Sequence, residues 1–105
     1  MNNVCINGRL TGEPIFKNLG NDNAVATLFI ANTVSSKKVN FLKATAWGKQ
    51  AKIIAEHARK GMELFITGRL EQSSYINSKG DTVYDVSITV ENFNFGKRPS
   101  GSITV

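Results

Sequence analysis

The order of elements predicts an all-β chain with one short helix, folded as a five-stranded OB-fold barrel (strand, strand, strand, helix, strand, strand). Three observations carry that expectation. Period-two strand patterning recurs along the chain, and the period changes to that of a helix only over 49–60. That single helix falls between the third and fourth of five strands, which is the connectivity of this barrel. Two pentapeptides, Ile6-Asn7-Gly8-Arg9-Leu10 and Ile66-Thr67-Gly68-Arg69-Leu70, share the pattern I-x-G-R-L and put a glycine inside the first and fourth strands. A small barrel must bend long strands to close, and an interior glycine marks such a bend or a bulge.

Taken in order, Val4 to Leu10 alternates and forms the first strand. Gly12 and Pro14 punctuate it, and Ile15-Phe16-Lys17 is a short extended piece. Gly20-Asn21-Asp22-Asn23 is a turn by composition. Ala24 to Thr33 is a long strand with Ala24, Ala26, Leu28 and Ile30 on one face and Val25, Thr27, Phe29 and Ala31 on the other. Residues 34–39 make a short polar connection to a third strand beginning at Phe41. From Lys49 to Lys60, Ala51, Ile54, Ala55 and Ala58 recur at helical spacing, and Gly61 is expected to stop the helix. Its basic last turn would suit the helix dipole. Met62 to Asn77 returns to strand character, Ser78-Lys79-Gly80-Asp81 is a hairpin tip, and Thr82 to Phe95 is the last strand, with Tyr84, Val86, Ile88 and Val90 on one face. Residues 1–95 form one domain, and 96–105 are expected to be a short flexible tail.

A chain of 105 residues suits one small domain with one modest core. One cysteine, Cys5, excludes an internal disulfide, and Cys5 with the single His57 cannot supply a structural zinc site. No metal or other cofactor is expected. The start MNNVCINGRL has no basic segment followed by an apolar run, and no stretch approaches the length of a membrane span. A cytoplasmic protein fits. Net charge is +5, unevenly spread. Residues 1–60 carry nine Lys or Arg against three acids, a net +6, and 61–105 carry four against five, a net −1. A basic half points to a polyanionic partner, of which nucleic acid is the usual one.

The stretch FLKATAWGK, Phe41 to Lys49, locates that partner's site. If Leu42, Ala44 and Ala46 face the core, then Phe41, Lys43, Thr45 and the only Trp, Trp47, face outward together. Alternate side chains on one strand face stand about 7 Å apart. Flat rings at that spacing can meet unstacked bases while an ammonium group reaches phosphates, and stacking is indifferent to base identity. The competing reading is that Phe41 and Trp47 cover a subunit interface or pack under a loop. Neighbouring residues favour the first reading. Lys37 and Lys38 precede the strand, Lys49 and Lys52 follow it, Tyr75 stands near a hairpin tip beside Lys79, and Phe29 is out of phase with the core face of its strand.

These residues bring the chain close to a known family. NNVCINGRLTGEP, AVATLFIANT, AWGKQAKIIAEHARKGMELFITGRL and the final VENFNF resemble the bacterial and phage single-stranded DNA-binding proteins over about residues 1–95. Trp47 to Leu70 is the most specific block. The resemblance implies an OB fold, usually a homotetramer, that coats single-stranded DNA in replication, recombination and repair. It implies stacking at Phe41, Trp47 and Tyr75, and basic contacts at Lys43, Lys49 and Lys17. A further aromatic in the loop before the middle strand has no counterpart here, where only Lys37 and Lys38 stand. Cellular members carry a long tail with an acidic, Phe-ended tip that recruits partners, whereas this chain ends Ser102-Ile103-Thr104-Val105. The resemblance is therefore to a tail-less, phage-like member, with recombinase or replication proteins engaged otherwise than through an acidic tail.

Two functions compete on this reading. The first is a sequence-tolerant single-stranded DNA binder. The second is a tail-less primosomal accessory module acting through protein contacts. An enzyme is not expected: His57 reads as a surface residue among basic neighbours, and no carboxylate pair, nucleophile motif or phosphate-cradling glycine loop occurs. A dimer and a tetramer both satisfy the strand faces.

Overall fold

The computed structural model describes residues 1–21 and 23–97. Asp22 of the expected turn and the expected tail from 98 onward lie outside the described residues. Six strands and one helix follow one another: β1 (Val4–Leu10), β2 (Ile15–Gly20), β3 (Asn23–Ser35), β4 (Lys38–Trp47), α1 (Lys49–His57), β5 (Glu63–Ile76) and β6 (Thr82–Phe95). The ring itself has five members. β1 pairs with β5, β5 with β6, β6 with β4, β4 with β3, and β3 returns to β1. The short piece expected at Ile15–Lys17 is longer than its pattern suggested. It is β2, which continues antiparallel along β3 where β1 leaves off, Leu10 opposite Ile30 and Ile15 opposite Thr27. Gly12 and Pro14 interrupt a strand that the pairing with β3 then resumes. β4 and β6 meet in parallel at Ala44 opposite Ile88 and Thr45 opposite Thr89.

The core follows the alternation. Ala24, Ala26, Leu28 and Ile30 of β3, Ala44 and Ala46 of β4, Leu64 and Ile66 of β5, and Ile88 and Val90 of β6 are buried together with Leu10. Full burial of a Leu or Ile is worth about 1.5–3 kcal/mol. Ala51, Ile54 and Ala58 of the helical segment complete the same cluster, and α1 packs on β3, β2 and β4. Small residues at 24, 26, 46 and 51 allow the helix to come close.

The helix is three residues shorter than its pattern. The last helical bond runs from Ala58 N to Ile54 O, and Ala58 itself is extended, at φ −80° and ψ 141°. The reason is tertiary. Leu10 at the end of β1 donates to Met62 O and accepts from Gly61 N, which draws the chain out of the helix before Gly61. Arg59 and Lys60 therefore lie beyond the last turn, whose only basic residue is His57. At the other end Gly48, at φ +65°, turns the chain from β4 into α1, and its N–H bonds Ala24 O. A side chain at that φ would be strained. The third strand also begins earlier than expected: β3 and β4 pair to Ser35 opposite Lys38, so the polar connection shrinks to a tight hairpin.

Glu63 fastens the end of β6 to β1. Its Oε1 accepts from Lys97 N at 3.1 Å and its Oε2 from Asn7 Nδ2 at 3.2 Å. Its backbone exchanges bonds with Gly96 and Lys97. The backbone N–H of Lys97, then the Asn7 amide, hold the Glu63 carboxyl below its ordinary value of 4.5. A carboxylate depressed in the folded state stabilises above its unfolded pKa, and that contribution is lost as pH falls through the folded one. Glu63→Gln should therefore flatten the acid limb of stability below about pH 4.5 while leaving its shape near neutrality unchanged. Urea midpoints across that range test this; parallel acid limbs for the two proteins would rule it out.

Candidate nucleic-acid interface

The outward face of β4 is built by the same alternation that buries Ala44 and Ala46 and half-buries Leu42. Phe41 is 75% exposed, Trp47 53% and Phe29, on β3, 46%. None of the three can be a core residue. Register places them in rows across the sheet. Lys17, Val25 and Trp47 stand in one row, and Ile15, Thr27, Thr45, Thr89 and Arg69 in the next. Phe29 then faces Lys43, and Ala31 faces Phe41. Trp47 and Phe41 are six residues apart on one strand, about 20 Å at strand rise. Tyr75, 58% exposed, sits opposite Val83 on the hairpin of β5 and β6. Alternation puts it on the same sheet face as Arg69 and Thr89. A monomer gains little from four aromatic rings left in water, and such a patch marks a binding surface.

Charge on this face is sorted by position. At its middle the cations are already paired. Lys43 Nζ lies 2.8 Å from Asp85 Oδ2. Arg69 bonds Glu71 at 2.7 Å and Glu91 at 3.0 Å, which pushes its pKa further up, with Glu71 the larger cause. Around the rim stand Lys17 beside the Trp47 row, Lys37 and Lys38 at the β3–β4 hairpin, Lys49 at the start of α1 and Lys79 at the β5–β6 turn. The side chains of these five lysines enter no ion pair among the described residues. Lys52 lies on an exposed position of α1.

Sequence reasoning missed three features. Ile15 is on this face because β2 is a strand. Asp85 was legible only as an outward position of the last strand; nothing local named Lys43 as its partner. The face of β6 that buries Ile88 and Val90 leaves Val86 and Tyr84 exposed, because the β5–β6 hairpin runs beyond the barrel. A groove of about 360 Å³ opens there, lined by Phe29, Phe41, Lys43, Leu70, Asp85 and Val86 among others. Among the described residues no group of three or more His, Cys, Asp or Glu is placed to hold a metal, and no helix is long and apolar enough to cross a membrane.

The chain was compared with known proteins. A sequence model of the Single-strand binding protein family matches residues 1–96. A single-stranded DNA-binding protein of Enterococcus faecalis is 33% identical, over 97% of this chain and 57% of that protein. Single-stranded DNA-binding protein 1 of Lactococcus lactis is 31% identical, over 89% of this chain and 66% of that protein. One from Streptococcus pneumoniae is 33% identical, over 89% and 64% respectively. The chain thus spans about 57–66% of the length of these relatives. With a match that runs from the first strand to the end of the last, on a five-membered ring with an exposed aromatic face, the chain belongs to the single-strand binding protein family.

Proposed function

We propose that this protein binds single-stranded DNA with little regard for sequence and protects it in replication, recombination and repair. The observation that carries this reading is the joint exposure of Phe41 and Trp47 on one face of β4, with the half-buried Lys43 between them and the exposed Phe29 beside them. Bases stack on Phe41, Trp47, Tyr75 and Phe29. Phosphates run past Lys17, Lys37, Lys38, Lys49 and Lys79, with Lys52 as a further contact, while Lys43, expected at a phosphate, is bonded to Asp85 and faces a base instead. Lys43 enters the complex already bonded to Asp85, so it releases fewer counterions than the rim lysines do.

The salt dependence is therefore set by the rim. With five rim lysines the slope of log K against log salt should be about −3 to −4, since each neutralised phosphate of a single strand contributes about −0.7. Trp47 reports binding directly. Titration with oligo-dT should quench its fluorescence, and salt should reverse the quench. Absence of quenching, or an affinity indifferent to salt, would refute the reading. The relatives bear DNA-binding names, so the accessory-module alternative is not favoured.

The functional unit is a homotetramer built from dimers, acting in the cytoplasm. β1 supports self-association: its Val4–Gly8 stretch pairs with β5 on one edge, while its pairing with β3 covers Arg9 and Leu10. An edge with unpaired N–H and C=O groups invites a second copy. Light scattering with and without oligo-dT should give four chains; a monomer in both conditions would refute the assembly. Recombinase or replication proteins would engage the folded domain.

A further inference from the structure

The ion pair of Lys43 and Asp85 sits where a nucleic-acid binder has most to lose from a carboxylate. It lines the groove of about 360 Å³ whose other walls include the rings of Phe29 and Phe41 and the apolar side chains of Leu70 and Val86. A phosphate cannot settle beside Asp85 without like-charge repulsion. The sugar–phosphate chain must then pass along the rim lysines, and what enters the groove is a base. The pair also leaves bonding capacity unused. Lys43 has three donors and spends one on Asp85 Oδ2 at 2.8 Å; Asp85 Oδ1 accepts no bond among the described residues. Side by side the two groups present a donor followed by two acceptors.

That order is complementary to one base edge. Guanine presents the O6 acceptor, then the N1–H and N2–H donors. Cytosine matches two of the three positions when reversed. Thymine also matches two, and with its donor between two acceptors it sets one carbonyl against the carboxylate. We propose that the groove between Phe29, Phe41 and the Lys43–Asp85 pair is a guanine-preferring subsite inside an otherwise sequence-tolerant interface. Lys43 donates to O6, Asp85 accepts from N1–H and N2–H, and the phenyl rings hold the base plane. The same charge pair that costs the protein a phosphate contact becomes a reader of base edges. This subsite rests on the nucleic-acid reading above.

The test is fluorescence anisotropy with labelled oligonucleotides of about ten nucleotides, within the range one OB fold covers. The set is all dT, and dT with one central dG, dC or deoxyinosine. A single dG avoids guanine self-association, and a short strand lets it slide into register. Wild-type protein should bind the dG strand about five-fold tighter than all dT, the low end for a specific base contact because the pair is part exposed. Deoxyinosine, which lacks the N2 amino group, should recover only part of that gain, and dC none, since cytosine like thymine opposes one acceptor to the carboxylate. In Asp85→Asn the dG and dT strands should bind alike, with dT affinity equal to or above wild type and an unchanged melting temperature. A dG strand indistinguishable from dT in the wild type, or a dG preference that survives Asp85→Asn, would overturn the subsite while leaving general binding intact. Failure to bind even all dT would overturn both readings.

Discussion

Trp47→Ala should weaken binding to oligo-dT by about ten-fold or more, because one base–aromatic stack is worth about 1–3 kcal/mol. The indole is 53% exposed and lies outside the buried core cluster. Folding stability should change by less than about 0.5 kcal/mol. Phe41→Ala should cost a similar factor. The two side chains stand at opposite ends of the β4 face, so their effects should multiply, since distant sites are additive in free energy. Anisotropy with a labelled strand reads this without relying on Trp47. Ile53→Ala is the control: Ile53 is an exposed apolar residue on α1, away from the β4 face, and its loss should leave affinity unchanged. If the Trp47 and Phe41 variants bind as well as the Ile53 variant, the exposed aromatic face is not where bases lie.

Gly68→Ala should destabilise the fold by about 3 kcal/mol or more, at or above the usual range for overpacking. A Cβ at Gly68 would stand 2.0 Å from the carbonyl oxygen of Thr89. The obstacle is backbone on the neighbouring strand, and that strand cannot retreat. Thr89 is held from the other side by its pairing with Thr45, one of the contacts that close β6 onto β4. The register of β5 against β6 shifts at Thr67/Gly68, so the glycine sits at the bulge itself. Gly12→Ala provides the comparison, since no heavy atom lies within 4 Å of its Cβ position. It should be neutral within about 0.5 kcal/mol. Urea denaturation of both variants decides the matter. A Gly68 variant within about 1 kcal/mol of wild type would mean that the bulge relaxes and that closure does not depend on a missing side chain.

The glycine of the second I-x-G-R-L copy was legible from its place inside a strand, and the structure gives it a bulge. Gly8, in the first copy, meets a different neighbour: a Cβ there would come within 2.5 Å of Ala31 O. Both copies thus mark close approach of strands, but which strand approaches is a property of the closed ring. The helix shows the same division. Its apolar face, Ala51, Ile54, Ala55 and Ala58, was readable from spacing; Ala51, Ile54 and Ala58 are buried and Ala55 is half-buried. Its end was not, because the residues that draw the chain away, Leu10 and Met62, are far apart in sequence.

The interface divides along the same line. Period two alone assigned Phe41, Lys43 and Trp47 to one side of β4 and Phe29 to the outward side of β3, because a strand turns successive side chains to opposite faces whatever it pairs with. Pairing was beyond that rule. Lys17 reached the Trp47 row through Val25, and Lys43 met Asp85 across 42 positions of chain. Strand periodicity, turn chemistry and the lone helical interval are local properties, so the amino-acid order by itself determined the element sequence apart from the full β2, the buried alternation and the aromatic face. Partners in a ring are chosen by closure, which brings together residues with no local signal of each other. The tertiary structure alone therefore decided that the cations at the middle of the face are neutralised, and that five lysines with no ion pair among the described residues lie around its rim.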